Sequence, residues 1–312
     1  MLRPVLIAIG FTLLLLKHFF FQDISMEYQV YTFLGGILIL GVPHGAADMM
    51  VAASSAAHKS TRFSMLYFLA IYLFRLILFA AILWFFPVAG NLLFIVFAAY
   101  HFGETDLHQF KTETLMGKLF VISYGLLILG FILLQHFDEL MPLFNLFPSG
   151  RSAEGLIHFI HYYRKVILMI LLAFFIIVAF TYFSAHEEGT YNPGLFIVHL
   201  GLILLILYIL PMMLAFTFYF IVWHSLLSMK NIVGFLRNNT DYTYRQIILR
   251  MLVLSVLAMG GIALFGAGGF MFLNHQTMLV YVFLGLAVLT APHLQVMHEM
   301  YHLIRKQRTA TT

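Results

Sequence analysis

The sequence predicts an all-α protein, a polytopic transmembrane helical bundle of about eight to ten spans. Three observations carry this prediction. Hydrophobic residues make up 62% of the 312 residues, and charged residues only 10%. Mean hydropathy is +0.96, far above that of water-soluble chains. Apolar runs long enough to cross a bilayer recur from one end to the other, and a helix satisfies its backbone polar groups within each run. No soluble domain interrupts them, so 1–312 reads as a single integral-membrane domain.

The runs follow in order. The first, 4–21, resembles a secretory signal, but bulky aromatics follow its apolar core where small residues would be needed, so it reads as a retained span. The second, 28–52, ends in the polar stretch GVPHGAADM (41–49). The third and fourth, 64–86 and 90–108, are joined by a short turn near Pro87, and the fourth carries AYHFGETDLH (99–108). A plain run, 118–135, precedes a weakly apolar and broken stretch, 136–162, and then another plain run, 166–184. Residues 194–228 are too long for one straight crossing; Pro211 is the expected kink, and VWHSLLS (222–228) closes the run. The last two runs are 247–271 and 276–300, the latter leading through APHLQVMHEMYH (291–302).

Charge sets the expected orientation. Lys59, Arg62, Lys111, Lys118, Arg164, Lys165, the basic residues from Lys230 to Arg250 and the tail Arg305, Lys306 and Arg308 are expected on the cytoplasmic side. Asp23, Glu27, Glu187 and Glu188 then face the opposite side, in what reads as a prokaryotic inner (plasma) membrane. Only one clear run separates Lys118 from Arg164, so this assignment requires 136–162 to return across the bilayer. The net charge of +4 is small and sits mostly at helix ends, a pattern that gives no sign of nucleic-acid binding. With no cysteine, disulfides, thiolate chemistry and Cys-ligated iron–sulfur or zinc sites are excluded.

The four polar stretches each centre on a histidine: His44, His101, His224 and His293. Ionisable groups within a membrane are costly and need a compensating role. Counted along runs that rise about 1.5 Å per residue, all four fall at a similar depth in the cytoplasmic half. That is what a metal site built between helices requires. Imidazole suits iron, zinc, copper or nickel; iron(II) fits oxygen chemistry and zinc fits hydrolysis. Asp48, four residues after His44, shares its helix face and can accept the ring N–H of a ligand histidine. Glu104, three residues after His101, is a similar candidate; Asp106 points to a different face; His298 and Glu299 lie nearer the helix end. Taken singly, a membrane histidine is more often a packing or interfacial group, as expected for His18, His136, His158, His161, His186, His275, His108 and His302. Pro43 and Pro292 each directly precede a histidine and are placed to bend the helix there. A histidine-based metal or proton transporter, a b-type heme protein and a noncatalytic scaffold are the alternatives these residues leave open.

At GVPHGAADM, YHFGETDL, FYFIVWHSLLS and APHLQVMHE the chain resembles the Brp/Blh family of membrane-embedded β-carotene 15,15'-dioxygenases, in an order that covers almost its whole length. The resemblance implies an enzyme that holds Fe(II) on histidines. It uses O₂ to split the central double bond of β-carotene, or a related hydrophobic polyene reached from the lipid bilayer, into two molecules of all-trans-retinal. Carried over residue by residue, it implies His44, His101 and His224 as ligands, with His293 of the late Pro-His motif as the fourth. Members of the family often carry a further histidine four residues after the one matching His224. Here that position is Ser228, which leaves His293 or His298 to complete the site.

Overall fold

Apolar runs become helices here because only a helix leaves no backbone polar group facing lipid. The computed structural model describes residues 2–20, 24–144, 153–185, 192–272 and 275–311, and within them it is all-α. Eight of the described helices are long and apolar enough to cross a membrane. The protein is therefore an integral-membrane helical bundle. Asp23, His186, Glu187 and Glu188 lie outside the described residues.

In chain order the elements are α1 (Leu2–Phe20), α2 (Met26–Gly36), a first π-helical segment (Ile37–Gly41), α3 (Val42–Ala46), α4 (Asp48–His58), α5 (Met65–Phe85), α6 (Pro87–Asp106), α7 (Leu115–Gln135), α8 (Phe137–Phe144) and α9 (Glu154–Ala185). They continue with α10 (Pro193–Ile209), α11 (Met212–Phe216), a second π-helical segment (Thr217–His224), α12 (Ser225–Asn239), α13 (Tyr244–Phe272) and α14 (His275–Thr311). Polar side chains start several of them. Ser25, Ser64 and Thr114 accept hydrogen bonds from the backbone N–H groups of Tyr28, Tyr67 and Gly117, and Asn192 caps α10 ahead of Pro193.

Proline chemistry explains two of the irregularities. At Pro211 the 194–228 run divides into two helices: Leu210 is extended, as the residue before a proline prefers, and α11 begins beyond it. An α-helix through Pro43 would lose its hydrogen bond to the Ile39 carbonyl and push the ring against it. Ile39 instead lies in the first π segment, whose wider turn ends just before Val42.

The chain groups into two compact units. Unit 1 comprises Met1–Gly41, Phe102–Pro142 and Glu154–Leu227. Its core joins Leu6, Phe33, Phe120, Leu127, Ile128, Ile132, Ile203 and Phe218, all fully buried. Aromatic rings interlock within it: Phe120 stacks on Tyr182 at 4.6 Å and meets Phe196 edge-on at 5.7 Å. Helices α6 and α7 approach so closely that a Cβ on Gly103 would fall 2.0 Å from the Val121 carbonyl oxygen. Gly36 admits Ile221 in the same way, bringing α2 against the second π segment.

Unit 1 also corrects the expected charge pattern. The described part of 136–162 contains α8, eight residues and about 12 Å long, too short to cross. From Glu154 the chain runs as one 32-residue helix. Tyr182, near the end of α9, donates to the Lys111 carbonyl before α7, while Arg164 bonds Asp138 just after α7. Helices α7 and α9 are thus antiparallel, and Lys111 and Arg164 sit at opposite ends of the pair. The two basic groups do not share one side.

Unit 2 comprises Val42–His101, Leu143–Ala153 and Ser228–Thr312. Val51, Ile232, Phe235, Ile247, Met297, Met300 and Tyr301 form its main core, where α4, α12, α13 and α14 meet. A second cluster packs Phe79 and Leu83 of α5 against Ala287 and Val288 of α14. Trp84, Phe85 and Phe86 are exposed at the α5–α6 turn, where aromatic rings suit a membrane–water interface.

Candidate metal centre

Three buried histidines, His44, His101 and His224, form a cluster in which one ring nitrogen from each lies within 4.8 Å of the others. Nitrogens bound to one ion at about 2.1 Å sit at most about 4.2 Å apart. The cluster is capable of holding one. Its donors are three imidazoles, a set suited to borderline transition metals.

In unit 2, α3 carries His44, α6 carries His101 and α14 carries His293. The His293 ring centroid lies 5.1 Å from that of His44 and 4.9 Å from that of His101, edge-on to both. His293 Nδ1 donates to Asp48 Oδ1 at 2.7 Å. That bond places the ring proton on Nδ1 and leaves the lone pair on Nε2. His293 Nε2 is buried and makes no hydrogen bond among the described residues. Asp48 is itself only 4% exposed. It opens α4, where the helix dipole favours a carboxylate, and its other oxygen accepts from the Tyr72 hydroxyl at 3.0 Å. Asp48 thus accepts from a ligand-candidate histidine, as expected, and that histidine is His293, 245 residues away in the chain.

In unit 1, His224 ends the second π segment and is fully buried. Its ring lies parallel to that of Phe220 and 4.7 Å from that of Phe102. One turn beyond Phe102 on α6 is Asp106, also buried. Its Oδ2 accepts from Tyr124 (2.6 Å), Tyr219 (3.0 Å) and the Trp223 indole N–H (3.0 Å). The Arg3 guanidinium donates to its main-chain carbonyl. Asp106 also lines a cavity of about 10 Å³ with Arg3, Tyr124, His199 and Trp223, room for a single water molecule.

The remaining sequence candidates fall as follows. Glu104 is buried in the last turn of α6. His298, five residues beyond His293, turns to another face of α14, and its ring meets Tyr100 at 5.8 Å. Glu299 pairs with Lys59 at 2.7 Å on a half-exposed surface. Ser228 is fully buried one turn after His224. Tyr72, Tyr124 and Tyr219 were not foreseen. Their only sequence signal is that a carboxylate within a span requires donors from somewhere.

His136 is bound up with Pro211. A proline at 211 cannot donate to the Leu207 carbonyl, and His136 Nε2 donates to it instead at 2.9 Å. The first N–H of α11, that of Met212, goes to Glu139 Oε2, while Glu139 Oε1 faces His136 Nδ1 at 3.2 Å. Burial opposes charging His136, but the Glu139 and Leu207 oxygens outweigh it and raise the ring pKa above its ordinary value. The same hydrogen bond from His136 holds Glu139 below the usual carboxylate range.

The family model described as Beta-carotene 15,15'-dioxygenase matches residues 35–301. A protein of that name from an uncultured marine bacterium, 66A03, is 25% identical over 270 residues, covering 83% of this chain and 89% of the relative. No solved structure matches.

Proposed function

Because the chain belongs to the β-carotene 15,15'-dioxygenase family, we propose that it is a membrane-embedded, non-heme iron(II) oxygenase of the Brp/Blh type, cleaving the central 15,15' double bond of β-carotene into two molecules of all-trans-retinal. The observation that carries this reading is the buried cluster of His44, His101 and His224 in a helical membrane protein of that family. We assign these three and His293 as the metal ligands. A ferrous ion bound there supplies the redox chemistry that lets O₂ react with an alkene. Each oxygen atom of one O₂ ends in one aldehyde, so the reaction needs no added reductant.

The chain's own groups do the rest. Neutral imidazoles leave the charge of a dication uncompensated in a low-dielectric interior. Asp48 lends a negative charge through His293, fixing its tautomer and raising its basicity as a ligand. Tyr72 holds Asp48 from its other oxygen. Phe102 and Phe220 pack on the His224 ring and keep water from it. No general base is required, because oxygen addition to an alkene need not begin with proton removal. A substrate as apolar as β-carotene is already dissolved in the bilayer that the helices face.

The test is expression in cells that make β-carotene, with retinal read by chromatography and bound metal by elemental analysis. The reading expects loss of polyene colour, appearance of retinal, and about one iron per chain. Iron-loaded protein that yields no retinal overturns the substrate; zinc in place of iron overturns the oxygen chemistry.

A further inference from the structure

Asp106 is a buried carboxylate that the proposed reaction does not use, and its hydrogen bonds concentrate on one element. Two of the three donors to Oδ2, Tyr219 and Trp223, belong to the second π segment, and the third, Tyr124, comes from α7. Tyr219 and Trp223 are four residues apart and face the same way. Trp223 immediately precedes His224, the last residue of the segment. An indole can only donate, so a buried acceptor at this point fixes the direction of the Trp223 side chain, and with it the rotation of the backbone that presents His224.

A π turn is a rare conformation, held only where its surroundings specify it. Three contacts within unit 1 do so here. Ile221 fits against Gly36, Phe220 and Phe102 hold the His224 ring, and Asp106 grips the segment at Tyr219 and Trp223. Both Phe102 and Asp106 project from α6, one turn apart, so a single helix supports the ring and the backbone behind it.

We infer that Asp106 is a positioning residue for the metal centre: by binding Tyr219 and Trp223 on one carboxylate oxygen it sets the register of the Thr217–His224 segment and aims His224 at the ion. This rests on His224 being a metal ligand, as proposed above. Asp106 touches neither the ion nor the substrate.

The experiment uses full-length protein in detergent with Co(II) as a spectroscopic probe. Trp84 and Trp223 are the two tryptophans of the chain, so Trp84→Phe leaves Trp223 as the sole reporter. In that background Asp106→Ala is expected to shift the Trp223 emission in the metal-free protein. It should also weaken Co(II) binding by about 10- to 100-fold and alter the Co(II) absorption bands. Asp106→Asn, which keeps an acceptor oxygen and the shape, should restore part of the affinity, and it serves as the primary variant if the alanine protein does not fold. Trp223→Phe should weaken Co(II) binding in the same direction. Tyr124→Phe, which removes a donor to the same oxygen from outside the π segment, should lose stability but keep Co(II) affinity within about twofold.

Folded Asp106→Ala and Asp106→Asn proteins with unchanged Co(II) affinity and spectrum overturn the inference. So does a Tyr124→Phe protein as impaired in metal binding as Trp223→Phe, because Asp106 would then act by general packing. A parent chain that binds no Co(II) overturns the metal-centre reading and this inference with it. A parent that binds normally beside unaffected variants overturns this inference alone.

Discussion

Two buried aspartates, one in each unit, show two ways of placing a carboxylate in a membrane interior. In unit 2, Asp48 divides its oxygens between His293 and Tyr72 and acts directly on an imidazole. In unit 1, Asp106 gathers three donors on one oxygen and acts on the backbone through Tyr219 and Trp223. Burying either charge would be prohibitive without such donors. The difference lies in what the carboxylate fixes: a ring nitrogen in the first case and a helical register in the second. A mutation at Asp48 should therefore be felt by the metal at once, whereas one at Asp106 reaches it only through the segment it holds.

The sharpest challenge to that comparison is removal of the histidines themselves. Alanine at His44, His101 or His224 should leave metal content near zero, measured on purified folded protein; a full complement of metal after any one replacement removes that residue from the site. Asp48→Ala should come next, lowering metal affinity by about 10- to 100-fold as other partners of ligand histidines do, with titration against Co(II) as the measurement. Gly103→Ala sharpens the unit 1 side. Its new methyl would meet the Val121 carbonyl, and forcing α6 from α7 should cost about 1–3 kcal/mol, read as a lower melting temperature. Tyr72→Phe should cost about 1 kcal/mol and weaken metal binding severalfold, since Asp48 then keeps a single partner. Equal metal affinity in the Tyr72→Phe and Tyr124→Phe proteins would erase the contrast.

The smallest effect is expected at a carboxylate outside the spans. Glu139 and His136 are each charged between the lowered pKa of the acid and the raised pKa of the ring. The His136 contribution is complete below about pH 6.5 and is lost as pH rises through its raised value; that of Glu139 is complete above about pH 4.3 and is lost as pH falls through its lowered value. Glu139 is partly exposed, so the gain should be about 1 kcal/mol or less. The melting temperature should fall modestly from pH 6 to pH 9, and His136→Gln should flatten that slope.

Much of the fold was readable because hydropathy alone marks where a chain enters lipid. The runs beginning near Leu2, Met65 and Leu115, the break at Pro211 and the turn at Pro87 all follow from composition or from proline geometry. Four histidines stood out because nothing else justifies them in an apolar run, and Asp48 stood out beside His44. Which of the four Asp48 would bond was not legible, because a contact across 245 residues leaves no local trace. The donors to Asp106 were hidden for the same reason. A helix that is apolar all round has no polar face to reveal which side turns inward. The shared side of Lys111 and Arg164 failed on a different point: positive charge gives orientation only if every crossing is counted, a shared side required 136–162 to return across the bilayer, and the pairing of α7 with α9 puts the two groups at opposite ends.

The two π segments bear on how relatives are to be matched with this chain. Such a turn accommodates an additional residue without breaking the helix. Between proteins only 25% identical, a one-residue gap in the middle of an apolar helix is therefore a legitimate event, even though alignment practice confines gaps to loops. Spacing counted forward from Pro211 and spacing counted back from Asn239 need not agree on which residue is equivalent to His224. Ligand assignments carried between relatives are safest when anchored on both sides of Thr217–His224, because one omitted residue there turns a histidine into its neighbour.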